Sequence, residues 1–184
     1  MVKQIKDLQR EYKKVVFKIQ EPILDIGGGE GFFLESQGIE EATIIDGTKN
    51  QSDLFNYIKA DLTKKLPNIE GKFKTIFIME TLEHIENPLY LLAQIYDLLD
   101  DDGKLYISIP YTPIGNGSEH VCRWTLKEIT NQLKKLGFES NVIEKRRRFK
   151  NKAFWLPHCW LVLEVKKNII KTDIANIVGY NLDL

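Results

Sequence analysis

The chain has little that would place it outside a cell or across a membrane. Among 184 residues there are two cysteines, Cys122 and Cys159, far apart and in no C-x-x-C pair. That excludes a disulfide framework, and the two read as free or buried thiols of a reducing compartment. There is no excess of either charge. Lys and Arg number 26, as do Asp and Glu, so no global electrostatic partner is implied. The first residues, Met1 to Lys14, are charged and lack the apolar core of a signal peptide. The longest apolar stretch, Phe154 to Val165, is broken by Pro157 and His158 and is too short to cross a bilayer. Repeats and low-complexity segments are absent. The expectation is a soluble cytoplasmic protein with a single domain over 1–184: an N-terminal helix over 1–20, a core over 22–166 and a tail over 167–184. The length suffices to bury a sizeable core.

What the chain does have is a concentrated cluster of glycines. Ile23-Leu24-Asp25-Ile26 is a short buried strand by composition, and Gly27, Gly28, Gly29 and Gly31 follow it at once. Phe32 to Ser36 is compatible with a helix. Glycines allow positive φ and let a ligand approach the main chain closely. The free N–H groups at a helix start favour anionic or polar ligand atoms. A dinucleotide fingerprint needs its third glycine three positions after the second. Counting from Gly27 and Gly29, that position is Phe32. The pattern is therefore D-x-G-x-G-x-G, built from Asp25, Gly27, Gly29 and Gly31, and it disfavours a nicotinamide cofactor. The plainer reading of the turn alone is an ordinary strand-to-helix connection.

Along the chain, strands and helices alternate. Ile5, Leu8, Tyr12, Val15, Val16 and Ile19 fall at helical spacing, which predicts an amphipathic helix that packs on the domain or covers a site. A second strand over Ala42 to Ile45 ends at Asp46-Gly47, where a ribose-binding acid is expected in a doubly wound sheet. Asp46 could equally cap a turn. Gln51 to Tyr57 suggests a short helix, and a third strand ends near Ala60-Asp61-Leu62. Phe73 to Met79 is the clearest strand. Pro88 opens a helix carrying Leu91, Leu92, Ile95, Leu98 and Leu99. A turn at Asp100 to Gly103 precedes a fifth strand over Lys104 to Ile109. Thr125, with Glu128 three residues on, makes a capping box for a helix to Leu136. Strands over Glu139 to Glu144 and Trp160 to Val165 complete the count. This rhythm predicts parallel strands with helices on both faces.

The D-x-G-x-G-x-G turn, Asp46, Ala60-Asp61-Leu62-Thr63 and the block from Met79-Glu80-Thr81-Leu82-Glu83-His84 to Asp102-Gly103-Lys104-Leu105 resemble class I S-adenosylmethionine-dependent methyltransferases, type-11 group. The resemblance runs from about Pro22 to Glu139. It implies a doubly wound α/β fold: a mostly parallel seven-stranded sheet with helices on both faces and the last strand antiparallel. It also implies S-adenosylmethionine as cofactor and S-adenosylhomocysteine as product. The implied binding residues are Asp25, Gly27, Gly29 and Gly31 for the methionine end, Asp46 and Gly47 for the ribose, Asp61 and Leu62 for the adenine, and Met79 beside the site.

The acceptor side is less defined. Bases should lie beyond the carboxyl ends of the fourth and fifth strands, where Glu80, His84, Tyr111, Glu119 and His120 fall. Glu80 and His120 are the catalytic expectation. An imidazole titrates near neutrality and suits a base, although a loop histidine bonded to backbone is the plainer reading of His120. Glu80, Glu83 and His84 would share one face of a helix. With His120 they would suit a divalent metal, a pattern that resembles metal-assisted methyltransferases of RNA 3′-terminal ribose and some quinone O-methyltransferases. The same L-E-H turn braces metal-free relatives, and no metal is assigned. Lys145 to Lys152 holds six basic residues and reads either as a solvated hairpin or as a surface for an anionic substrate, RNA included. The expected activity is methyl transfer to an O or N atom of a small-molecule acceptor. The alternatives are an RNA-directed, metal-assisted enzyme and a non-catalytic cofactor-binding subunit. The state is monomer or homodimer.

Overall fold

The computed structural model describes residues 12, 14–48, 53–110, 120–148 and 158–168. The elements in chain order are β1 (Ile23–Ile26), α1 (Phe32–Ser36), β2 (Thr43–Asp46), β3 (Asn56–Lys59), β4 (Phe73–Met79), a 3₁₀ turn (Leu82–His84), α2 (Pro88–Leu98), β5 (Leu99–Pro110), α3 (Leu126–Lys135), β6 (Phe138–Arg148) and β7 (His158–Lys167). The seven strands form one sheet in the order β3-β2-β1-β4-β5-β7-β6. Pairings among β1 to β5 are parallel, and β7 runs antiparallel to both β5 and β6. The expected mixed sheet is the one observed.

Period-two alternation in the central strands sorts the core into two layers. Ile76 and Ile78 of β4, with Leu105, Ile107 and Ile109 of β5, face Leu91, Leu92 and Ile95 of α2 and Ile129 and Leu133 of α3. Phe77 and Tyr106 point to the other face, where Leu34 of α1 and Ile44 join them. On that face the rings of Phe17, Phe33, Phe77 and Tyr106 meet at centroid distances of 5.0 to 5.8 Å. Asn87 caps α2 by accepting from Tyr90 N, and Pro88 takes its first turn. The capping box at the start of α3 forms as expected, with Thr125 and Glu128 satisfying each other's backbone N–H.

Several expectations are corrected. The N-terminal helix does not reach Ile19, because residues 16–20 carry no regular structure. Lys18 N donates to the Tyr106 hydroxyl and Gln20 N to Thr75 Oγ1, so the sheet's side chains take the donors a helix would use. Residues 1–11 lie outside the described set. Asn56 and Tyr57 belong to β3 rather than to a helix, since Asn56 pairs with Thr43 and Tyr57 with Ile44. Asp100 to Gly103 is an irregularity inside β5: Phe73 pairs with Leu99, and Thr75 already pairs with Lys104. Strand β6 extends to Arg148, so the basic run begins on an edge strand. Arg146 pairs with Trp160, which pairs with Pro110 at the carboxyl end of β5. The rest of that run, residues 149–152, lies outside the described residues, as do Tyr111, Glu119 and the tail from 169 on. Among the described residues no helix is long and apolar enough to cross a membrane.

The depth of Phe77 and the surface position of the α3 cap set their different weights. Phe77 is fully buried, so Phe77→Ala should cost about 3–5 kcal/mol in urea unfolding. Thr125→Ala should cost about 1 kcal/mol. Equal losses would contradict this packing.

Candidate functional site

Strand β1 has β2 on one side and β4 on the other, so the chain leaves the sheet in opposite directions around it. Such a switch point opens a crevice at the carboxyl ends of the strands. Here the crevice is a cleft of about 940 Å³ lined by Gly27, Asp46, Gly47, Thr48, Lys59, Ala60, Asp61, Leu62, Thr63, Glu80, Thr81, His84 and Ile85.

The glycine turn forms one wall. Gly27, Gly29 and Gly31 adopt positive φ of 77°, 54° and 82°. A Cβ on Gly27 would sit 2.4 Å from the Thr81 side chain, and one on Gly31 would meet the Phe55 ring at 2.6 Å. Glycine is required at both positions by φ and by space. Beneath the turn lies Asp25, 1% exposed, both of whose carboxylate oxygens lack a hydrogen-bond partner among the described residues. Burial, with the nearby charge of Asp46, pushes its carboxyl up to about 8.

Asp46, at the end of β2, faces the same turn. Its Oδ2 accepts from Gly29 N at 2.9 Å, and its Oδ1 accepts from Thr48 N and Oγ1 at 2.8 and 2.7 Å. It therefore fixes the tip of the glycine turn as well as lining the cleft. Asp61 is exposed. Its Oδ1 accepts from Thr63 Oγ1 and N, and Lys64 lies 3.1 Å from Oδ2. These bonds, the hydroxyl first, hold its carboxyl down at about 2. The turn-capping role weighed from the sequence is present here together with the cleft position. Leu62 and Gly47 line the cleft. Met79 is half-buried and packs against the aromatic face of the sheet.

The opposite wall follows β4. Glu80 has φ 52°, the one non-glycine positive φ among the described residues, a conformation that needs support. Support comes from β5: Glu80 N donates to Ser108 Oγ at 2.8 Å, and Ser108 Oγ donates to Glu80 Oε1 at 2.8 Å. The Tyr12 hydroxyl donates to the same Oε1 at 3.1 Å and lies 2.7 Å from Ser108 Oγ. Burial raises the Glu80 carboxyl, while the bonds from Ser108 and Tyr12 pull it back.

Glu80, Glu83 and His84 do not share a face as the sequence spacing suggested. The segment is a single 3₁₀ turn that starts after Glu80, and Glu80 is tied away by Ser108 and Tyr12. Instead the carbonyl of Glu83 accepts from Val121 N and Cys122 N, which carries His120 to His84 with ring centroids 4.9 Å apart. One donor atom from each of Glu83, His84 and His120 lies within 4.8 Å of the others. Glu83 is 1% exposed and its Oε2 has no partner among the described residues. Burial, then the charge of Glu80, pushes its carboxyl up to about 8.

Three residues of this site were not singled out from the sequence: Tyr12, Thr81 and Ser108. Ser108 left a signal, being the one polar side chain in the apolar run Leu105 to Ile109. Tyr12 and Thr81 left none, since each looks like packing until the turns meet.

A family model described as a methyltransferase domain matches residues 3–144. The tRNA U34 carboxymethyltransferase of Sulfurimonas denitrificans is 27% identical over 113 residues, 54% of this chain and 37% of that protein. The (S)-coclaurine N-methyltransferase of Papaver somniferum is 29% identical over 136 residues, 65% of this chain and 34% of its own length. The chain thus spans about a third of the length of the curated relatives it matches. The fold is shared with the 1,6-didemethyltoxoflavin-N1-methyltransferase of Burkholderia thailandensis, solved with bound 1,6-didemethyltoxoflavin and S-adenosylhomocysteine. The TM-score is 0.58 at 20% identity, covering 79% of this chain and 71% of that one.

The orphaned carboxyl of Asp25 has a measurable consequence in the ligand-free protein. Its folded pKa is raised, so the fold is favoured where Asp25 is protonated. That contribution is complete below about pH 4 and is lost as pH rises to about 8, at about 1.4 kcal/mol per pH unit. Asp25→Asn should remove this slope, so the variant gains stability over wild type steadily between pH 4 and 8 in urea unfolding. A constant difference across that window would contradict the burial of an unpaired acid.

Proposed function

The chain belongs to the methyltransferase domain family, and from that premise we propose that it moves a methyl group from S-adenosylmethionine to a nitrogen or oxygen atom of a small-molecule acceptor. The observation that carries this reading is the sequence of groups around the cleft: Asp61 with Leu62, then Asp46 with Gly47, then the glycine turn over Asp25. These fit the cofactor's adenine, ribose and amino-acid ends in that order. The partnerless oxygens of Asp25 suit an ammonium group, and the space at Gly29, where a Cβ would meet nothing within 4 Å, admits a ligand against the backbone. When bound, the cofactor supplies an electrophilic methyl on a sulfonium. The protein's part is to orient the acceptor in line with that methyl and to accept its proton. His120, against the cleft-lining His84 though not itself among the lining residues, is the proposed proton acceptor, and Glu80 the acidic group bordering the methyl. Two of the similar proteins named above are N-methyltransferases, which supports a small nitrogenous acceptor.

A second reading is favoured by the Glu83, His84 and His120 cluster: an RNA-directed enzyme that uses a divalent metal. Two imidazoles and a carboxylate suit Zn²⁺ or Mn²⁺ better than Mg²⁺, and the partnerless Oε2 of Glu83 fits a cation. The placement of Lys145–Arg148 at the cleft end of the sheet and the tRNA-directed relative point the same way.

Calorimetry should give micromolar binding of S-adenosylmethionine and S-adenosylhomocysteine and none of NAD. Asp46→Ala should weaken both by at least about tenfold, since each charged hydrogen bond lost is worth about 1.5 kcal/mol or more. Binding of NAD alone, or of nothing, would defeat the proposal. Titration with Zn²⁺ and with Mn²⁺ separates the second reading: stoichiometric binding that a His84→Ala, His120→Ala double variant abolishes would support it, and no binding by wild type would remove it.

A further inference from the structure

Glu80 is built into its place more heavily than a wall residue requires. Its backbone is held at φ 52°. Its N–H is bonded to both the side chain and the carbonyl of Ser108. Two hydroxyls, from Tyr12 and Ser108, converge on one carboxylate oxygen. Burial raises this carboxyl, and the two hydroxyl donors oppose that by favouring its charged form without neutralising it. Asp61, by contrast, has Lys64 against it. The charged or titratable groups that act on Glu80 are Glu83, His84 and Tyr12, and no lysine or arginine is paired with it among the described residues. A carboxylate kept as an acceptor in a cleft, without a paired cation, is a site for a cationic ligand atom.

The order of groups along the cleft says which atom. With adenine at Asp61 and ribose at Asp46, the cofactor's sulfur falls beyond the ribose, where Gly27, Thr81 and Glu80 line the cleft. That sulfur is a sulfonium before transfer and a neutral thioether after it. We infer that Glu80, positioned by Tyr12 and Ser108, is the group by which this site prefers the cationic methyl donor over its neutral product. The inference rests on the cofactor proposed above. It gives the site a way to release product, because the attraction that draws the sulfonium in vanishes when the methyl leaves. It also gives the N-terminal segment a role: Tyr12 is a positioning residue acting through Glu80, and its ring is separately anchored on Phe33 and Trp160 at 5.6 and 5.0 Å.

The test is calorimetric and needs no acceptor. Dissociation constants for S-adenosylmethionine and S-adenosylhomocysteine are measured on wild type, Glu80→Gln and Tyr12→Phe. A carboxylate a few ångströms from a sulfonium in a half-buried cleft is worth at least about tenfold in affinity. Glu80→Gln should therefore weaken the methyl donor by at least about tenfold and change the product by less than about twofold. Tyr12→Phe keeps the packed ring and removes the hydroxyl, and it should shift the ratio in the same direction by a smaller factor. Equal losses for both ligands, or no change in the ratio, would overturn the inference and leave the proposed cofactor standing. No binding of either ligand to wild type would overturn both.

Discussion

The turn after β1 and the turn after β4 come so close that one of them can carry no side chain. A Cβ on Gly27 would lie inside the Thr81 side chain, and the cleft exists because these two turns touch and then diverge. The parallel pairing of β1 with β4, Asp25 against Phe77, brings them to that contact. Everything that lines the cleft is placed relative to it: Asp46 through its bond to Gly29 N, and Glu80 one residue before Thr81. A substitution at Gly27 would disturb the geometry of both walls at once, because its Cβ would displace Thr81, the residue next to Glu80.

Around this contact the protein gathers acids that are unfavourable to bury. Asp25 and Glu83 are both 1% exposed and both hold carboxylate oxygens without partners among the described residues. Such groups destabilise a fold unless a ligand or a proton meets them. Their surroundings are otherwise apolar and well packed, with Ile44, Ile45, Phe77 and Leu82 fully buried. The sheet thus holds unpartnered carboxyl groups in register for a ligand. This is the usual trade between stability and function at a binding site.

The helical turn of Glu83 and His84 and the segment carrying His120 meet chiefly through backbone donors, Val121 N and Cys122 N to the Glu83 carbonyl, with Cys122 Sγ donating to the Ile85 carbonyl beside them. Any residue types at 121 and 122 other than proline could make the backbone bonds. The sequence grouped His120 with Glu80, Glu83 and His84 only as a candidate metal set, and the backbone bonds that bring the two histidines together left no trace in the pattern of side chains. The same holds for Tyr12, whose partners Glu80 and Ser108 lie 68 and 96 residues away.

Much of the architecture was legible because it depends on local chemistry. The apolar run Phe73 to Met79 can only be a buried strand, the Thr125 to Glu128 box can only start a helix, and glycines at 27, 29 and 31 announce a turn that needs positive φ. Asp25 lies one residue before the end of β1, Asp46 closes β2 and Asp61 follows β3, so their position at or beneath the cleft was set by chain order. The sequence by itself determined these elements, their order and the row of acids. Tertiary structure alone decided where β3 begins, how far β6 runs, and which polar groups meet across the cleft. Strand limits depend on a neighbour's register, and a hydroxyl's partner depends on distances that no sequence spacing encodes. Glu80 shows the division most plainly. Its spacing to Glu83 and His84 pointed to one shared helical face, but Glu80 precedes the 3₁₀ turn with a left-handed backbone, and its carboxylate is held by Ser108 and Tyr12 instead.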